Sequence, residues 1–310
     1  MRPPEYIDIP CKSALNRVSG MPFRWSLNPY RGCIHACHYC YARLSHTYLG
    51  MNADDDFESK IIVKSNIAEV LRGELRKPSW TRERVAIGTA TDAYQPCEGR
   101  YRLTRRCLEA LLAADTPVSI VTKSTLILRD LDLLTRLADG PGATVYFTIT
   151  TLDPEHSGLI EPGTPPPLKR LAVLRRLTDA GVPCGVFLAP ILPGITDSVE
   201  SLQAVAAAAK DHGAVSFGSA VLRLAPLVKE HYLGFVAASF PDLLPRYERA
   251  YAGTNIASGY QEAIERRLAR IRERHGFVAD AMQDRRRDAV TFRAGAQPLV
   301  ARSGQLALPL

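Results

Sequence analysis

Long apolar runs are missing from this 310-residue chain. No stretch reaches the roughly 18 residues that a membrane-crossing helix needs. The opening Met1-Arg2-Pro3-Pro4-Glu5 is followed by polar sequence rather than by the short apolar core of an export signal. The expectation is a cytoplasmic protein with no membrane anchor. An even set of cysteines is missing too. Seven are present, at positions 11, 33, 37, 40, 97, 107 and 184, which argues against a disulfide framework and for thiols, metal ligands or both. Lysine is absent from Glu265 onward, where ten arginines stand against five acids. That stretch carries much of the formal charge of +7. Such an excess suits a polyanion, because neutralised phosphates release counterions, and it equally suits a solvated helix face.

With 46% hydrophobic residues, the chain can bury a substantial core. Short β-rich runs recur at 85–87, 117–121, 144–149, 183–188 and 215–222. Stretches with apolar residues three and four apart lie between them, at 103–114, 126–138, 168–180 and 199–210. Two of these end on Gly with Pro shortly beyond, as Ala138-Asp139-Gly140-Pro141 and Ala180-Gly181-Val182-Pro183, which is how helices stop. Strand and helix alternating about every 30 residues is the pattern of βαβ units around a parallel sheet. Counting a strand near Arg24-Trp25-Ser26-Leu27, about six units fit, too few for a full eight-stranded barrel. Periodicity leaves a doubly wound open sheet standing beside a partial barrel. After Ala225 the chain reads as helical or irregular, and Arg285-Arg286-Arg287 opens a flexible tail.

The most informative segment is Gly32-Cys33-Ile34-His35-Ala36-Cys37-His38-Tyr39-Cys40-Tyr41. Its three cysteines can hold three irons of a cubane and leave the fourth iron open to chelate a small molecule. A zinc site completed by His35 or His38 is the other reading, although four ligands of one tetrahedron in so short a loop would be strained.

Cys-x3-Cys-x2-Cys followed by βα repeats resembles the radical S-adenosylmethionine superfamily. The words Lys12-Ser13-Ala14-Leu15-Asn16, Met21 to Cys33 and Thr91-Asp92-Ala93-Tyr94-Gln95-Pro96 are similar to its spore photoproduct lyase-like branch. The likeness runs from about Ile9 to Ala225. It implies an α/β fold, a partial (β/α)6 barrel over residues 1–225, with a helical extension at 226–284 and a basic tail at 285–310. It also implies a [4Fe–4S] cluster on Cys33, Cys37 and Cys40, S-adenosylmethionine on the open iron, and an external electron donor. Tyr41 is then the aromatic residue against the adenosyl group, Thr91 and Asp92 the polar pair at the methionine end, and Lys123 the cation at the carboxylate or ribose. Thr148 is a hydroxyl near the ribose, and Ala189 a backbone contact to adenine.

One departure stands out. The cysteine that returns a hydrogen atom to thymine in that branch falls here at Thr89 or Ala90, neither of which has a thiol. Cys97, a few residues on, is the candidate donor or else a buried small hydrophobe. The resemblance and the basic end together point to a nucleic-acid substrate, most plausibly damaged DNA. The rivals are radical chemistry on a peptide or small molecule, and a non-catalytic iron–sulfur module. Gln305-Leu306-Ala307-Leu308-Pro309-Leu310 resembles the short peptide by which bacterial repair proteins dock on the sliding clamp of replication.

Overall fold

The computed structural model describes residues 3–277. The expected tail at 285–310, the last part of the extension and the clamp-like peptide Gln305–Leu310 lie outside the described residues. Among the described residues ten strands form: β1 (Glu5–Asp8), β2 (Leu15–Arg17), β3 (Trp25–Leu27), β4 (Tyr30–Arg31), β5 (Lys60–Val63), β6 (Val85–Ile87), β7 (Val118–Thr122), β8 (Ala143–Thr148), β9 (Cys184–Ile191) and β10 (Ser216–Val221). The larger sheet runs β10-β9-β8-β7-β6-β3-β2. Its neighbours pair parallel, except that β2 joins β3 antiparallel at the edge.

The six parallel strands follow one another in chain order with no reversal. A doubly wound sheet would reverse its order part-way, so the architecture is the partial barrel. Helices 67–75, 103–113, 131–139, 167–179 and 199–211 connect successive strands. Val118, Ile120, Val145, Phe147, Val186 and Leu188, which share one face of the sheet, are fully buried in one apolar core, and on the opposite face Ser119 and Tyr146 are buried too.

The helix expected over 126–138 is divided. Ser124 accepts from the Leu126 amide and starts a tight turn over Thr125–Asp130, and the regular helix begins only at Leu131. A three-stranded side sheet, β1-β5-β4, also forms, which the pattern of apolar runs does not announce. It matters because β4 ends at Arg31, one residue before the cysteine loop. Beyond Ala225, helices 226–239, 244–250 and 258–274 form. Tyr232, Val236, Tyr247 and Tyr251 of these helices share an apolar cluster with Cys37, Tyr39 and Leu222. The extension therefore packs directly on the cysteine loop.

Candidate active site at the cysteine loop

The loop is fixed by backbone geometry first. Gly32 sits at a φ of +79°, and a Cβ there would lie 2.8 Å from the Phe57 carbonyl oxygen and 2.9 Å from that of Lys60, so only glycine fits. The Cys33 amide donates to Phe57 O at 2.9 Å. Ala36 adopts a left-handed φ of 54°, an unfavourable conformation that the surroundings must hold. Arg43, fully buried, does much of this work: its guanidinium donates to the carbonyls of Ala36 and Cys37, at 3.3 and 3.2 Å, and of Ala53 and Asp54. Glu58 balances its charge at 2.8 Å. On the far side the Gly163 amide donates to His35 O and the His38 amide to Ile160 O.

A second layer comes from the loop after β6. Gln95, fully buried, donates from Nε2 to Gly32 O at 3.0 Å and accepts from the Ile34 amide at 3.2 Å. Thr91 donates to the same Gly32 oxygen at 2.6 Å. Asp92 accepts from Thr122 Oγ1, from the Lys123 amide and from the Tyr94 amide, each at 2.8–2.9 Å. Its other close neighbour is His35 Nδ1, at 3.3 Å. Burial alone would raise the Asp92 carboxyl, but His35 and these hydrogen bonds outweigh it and hold it below the ordinary carboxylate range. Burial likewise opposes the His35 cation, while the Cys33 sulfur and Asp92 override it and push His35 upward. In this arrangement Thr91 and Asp92 are both engaged within the protein: they tie the cysteine loop to the ends of β6 and β7.

A third layer lies beneath Tyr39. Arg170 and Glu161, both fully buried, pair at 2.7 Å. Arg170 also donates to Thr148 O at 2.9 Å, to Pro165 O at 2.7 Å and to Thr164 Oγ1. Glu161 accepts from the Tyr39 hydroxyl and from Thr150 Oγ1. The Lys123 ammonium stands 5.6 Å above the Tyr39 ring. Burial opposes its charge, yet Cys37 and Glu161 prevail and push it above the ordinary lysine value. The extension closes the outer edge, where His38 stacks on Phe235 at 4.1 Å and lies 3.3 Å from His231, which in turn meets Asp54 at 2.7 Å.

Cys33 and Cys37 are buried and Cys40 half-buried. They are divided between two apolar clusters, Cys37 with Tyr39 and Ile160, and Cys33 with Ala42 and Phe57. Among the described residues no three His, Cys, Asp or Glu side chains gather around one point where a single ion would be held. His35 is held by Asp92 and the Cys33 sulfur, and His38 by Phe235 and His231. Three thiols of one loop, near enough to act on one another's charge, suit a cluster in which each sulfur binds a different iron.

The family model for the radical SAM superfamily matches residues 27–205. The chain belongs to that superfamily. A Mycobacterium tuberculosis protein described as uncharacterized is 42% identical over 280 residues, covering 88% of this chain and 82% of its own length. A second uncharacterized relative, from Methanocaldococcus jannaschii, is 30% identical over 193 residues, which is 62% of this chain and 70% of that one. The solved structure of a spore photoproduct lyase mutant with bound AdoMet and dinucleoside spore photoproduct matches with a TM-score of 0.67. That match has 19% identity and covers 87% of this chain and 79% of the other, a likeness of fold.

The protein is thus a radical SAM enzyme, and membership implies a [4Fe–4S] cluster and S-adenosylmethionine. Around the three cysteines, which suit that cluster, the remaining expected residues are placed as follows. Tyr41 follows Cys40 with its ring 58% exposed and its hydroxyl donating to Thr89 O. Lys123, half-buried, follows the last residue of β7. Thr148 is buried and ends β8, and Ala189 is half-buried near the end of β9. All lie toward the C-terminal strand ends, where barrel enzymes place their chemistry. Cys97 is 3% exposed within the main apolar core, and burial, then Glu98 and Cys33, pushes its thiol up. Sequence reasoning missed Arg43, Glu161 and Arg170, since their partners are 15 and 9 residues away with no motif to link them. Gln95 was visible only as part of the quoted word around Thr91.

Proposed function

We propose that this radical SAM enzyme acts on nucleic acid, with damaged DNA as the substrate class. The observation that carries the reading is the fold match over 87% of the chain to a lyase bound to a dinucleoside photoproduct. The extension takes part in the architecture, packing on the cysteine loop through Tyr232 and Val236.

When bound, the cluster and S-adenosylmethionine supply one electron and a 5′-deoxyadenosyl radical that abstracts a hydrogen atom. This chain's residues hold, orient and shield. Cys33, Cys37 and Cys40 would hold three irons of the cluster. Lys123 offers a positive charge to an anionic group at the strand ends, and its backbone is fixed there by Asp92. The Tyr41 ring presents an open aromatic face of the kind that stacks on adenine, and Thr148 and Ala189 sit on the neighbouring strand ends. Thr91 and Gln95 keep the loop in register through Gly32 O. The Arg170–Glu161 pair closes the base beneath Tyr39 and keeps water from that side. Cys97, buried as it is, would need the loop after β6 to move before returning a hydrogen atom.

The test is anaerobic reconstitution followed by a screen of lesion-bearing oligonucleotides for 5′-deoxyadenosine formed above the unstimulated level. Stimulation by one lesion class is the expected result. Stimulation by a peptide or metabolite, with none by any oligonucleotide, would overturn the nucleic-acid assignment.

A further inference from the structure

Helix 258–274 carries five arginines, and they divide into two groups. Arg266 pairs with Glu262 and Arg272 with Glu265. Arg267, Arg270 and Arg274 are exposed and make no ion pair or hydrogen bond within the described residues. These three line one groove of about 240 Å³ against Val199 and Gln203 of helix 199–211. They occupy one face, three and four residues apart, over roughly 10 Å of helix. A face of unpaired guanidinium groups, with Glu262 and Glu265 of the same helix paired to Arg266 and Arg272, suits a row of phosphates.

A cavity lies next along the same two segments of chain. Tyr260 lies two turns before Arg267 on the same helix; burial raises its hydroxyl, and Arg267 is near enough to oppose that rise. Asp197, which accepts from Tyr260 Oη at 2.6 Å, precedes Val199 by two residues. Together they border a cavity of about 380 Å³ between the loop after β9 and the extension, a volume typical of small-ligand sites. Tyr247 and Tyr251, nearly parallel at 5.8 Å, also line it. The hydroxyls of these tyrosines are committed: Tyr247 donates to Pro193 O and Tyr251 to Leu222 O. Tyr247 and Tyr251 are buried, so the accessible ring of the three is the half-buried Tyr260, and the exposed, unpaired Arg246 also lines the cavity. An accessible aromatic ring near a row of free arginines is the kind of element by which proteins hold single-stranded nucleic acid, with a base stacked and the backbone neutralised.

We propose that this groove forms a track for a single-stranded or unpaired nucleic-acid segment, phosphates on Arg267, Arg270 and Arg274 and a base against Tyr260. The proposal rests on the nucleic-acid reading above and says where the strand lies. The track leads along the outside of the barrel to the loop that follows β9, whose strand end holds Ala189.

The test uses the reconstituted full chain and a fluorescein-labelled single-stranded 12-mer, with anisotropy measured from about 50 to 300 mM salt. Replacing Arg267, Arg270 and Arg274 by Gln should weaken binding about tenfold or more at 0.1 M salt and lower the salt slope by about 2, near 0.7 for each phosphate left without its arginine. Removing three exposed charges elsewhere, Arg136→Gln, Lys169→Gln and Arg176→Gln, should change both far less. In a 12-mer with 2-aminopurine at each position in turn, Tyr260→Leu should relieve the quenching seen with the unsubstituted enzyme. Thermal melts confirm that each variant is folded. Binding by the unsubstituted enzyme with an unchanged slope in the groove variant, or an equal loss in the control variant, overturns the track and leaves the nucleic-acid reading standing. Absence of any binding by the unsubstituted enzyme overturns both.

Discussion

Arg170→Met keeps most of the side-chain length and removes the guanidinium that meets Glu161 at 2.7 Å, both partners being fully buried. The variant leaves a carboxylate in the interior with Lys123 as the nearby positive charge, and the carbonyls of Thr148 and Pro165 lose their donor. Breaking one side of a buried ion pair costs about 3–5 kcal/mol. For a chain of this size that corresponds to a melting temperature lower by about 5–8 °C. The pH dependence follows from the sign of the shift. Burial opposes the Glu161 carboxylate, but Arg170 and Lys123 outweigh it and hold its pKa below the ordinary value. In the unsubstituted protein this contribution is therefore complete above about pH 4.3 and is lost as pH falls through the folded-state pKa. The Arg170→Met penalty should accordingly be full at pH 7 and shrink as pH falls through the Glu161 pKa of the variant, which is higher once Arg170 is gone, reaching its floor only below the depressed pKa of the unsubstituted protein, where the carboxyl is neutral in both. Adding Glu161→Gln removes the stranded charge and keeps an acceptor for Tyr39, so the double variant should recover about 1–3 kcal/mol. Urea unfolding followed by circular dichroism, at pH 7 and pH 4, reads all of this. A single variant within about 1 kcal/mol of the unsubstituted protein, or a double variant with merely additive losses, would refute the reasoning.

Gln95→Leu strands the Ile34 amide and removes one of two donors from Gly32 O; the variant should be about 2–4 kcal/mol less stable to urea, and iron content after reconstitution should fall while Gln95→Glu retains part of it. Lys123→Ala should weaken S-adenosylmethionine binding about tenfold to a hundredfold, the equivalent of one charge-assisted bond, with the cluster spectrum unchanged; an unaltered dissociation constant would show that Lys123 serves Glu161 and Tyr39 instead. Cys97→Ala should lower stability by about 1–2 kcal/mol as a core truncation, with label incorporation into product unaltered; altered incorporation would make Cys97 the hydrogen donor. A peptide of the last dozen residues should bind the sliding clamp of the same organism, and Gln305→Ala with Leu308→Ala should abolish the binding; equal binding by both peptides would remove the docking assignment.

The barrel strands were legible because each is covered on both faces and therefore reads as a short apolar run. Val85–Ile87 coincides with the expected run, and Val118–Thr122 and Ala143–Thr148 are displaced by one residue. Helix 167–179 was readable from its periodicity and its Gly–Pro stop. The side sheet was not, since β4 has two residues and its pairing with β5 depends on chain about 30 residues away. The same contrast holds in the site. Cys33, Cys37 and Cys40 were visible because one loop must supply all three, and spacing carries that constraint. The residues that hold the loop were not, because Arg43, Gln95, Glu161 and Arg170 act through carbonyls and carboxylates brought close by the fold. An arginine at position 170 reads from sequence as a surface residue of an amphipathic helix, and only the buried Glu161 opposite it accounts for its complete burial. Asp92 was identified, but its partners His35, Tyr94, Thr122 and Lys123 place it as a strut between the loop and β7.

The central claim is that Cys33, Cys37 and Cys40 carry the cluster that drives S-adenosylmethionine cleavage. It is tested most directly by reconstituting the unsubstituted chain and the variant with all three changed to Ala, then measuring iron and sulfide content and 5′-deoxyadenosine formed under dithionite. The account predicts a [4Fe–4S] signal with 5′-deoxyadenosine and methionine from the unsubstituted protein, and neither from the variant. A full cluster in the variant, or a fully loaded unsubstituted protein that forms no 5′-deoxyadenosine, would contradict it.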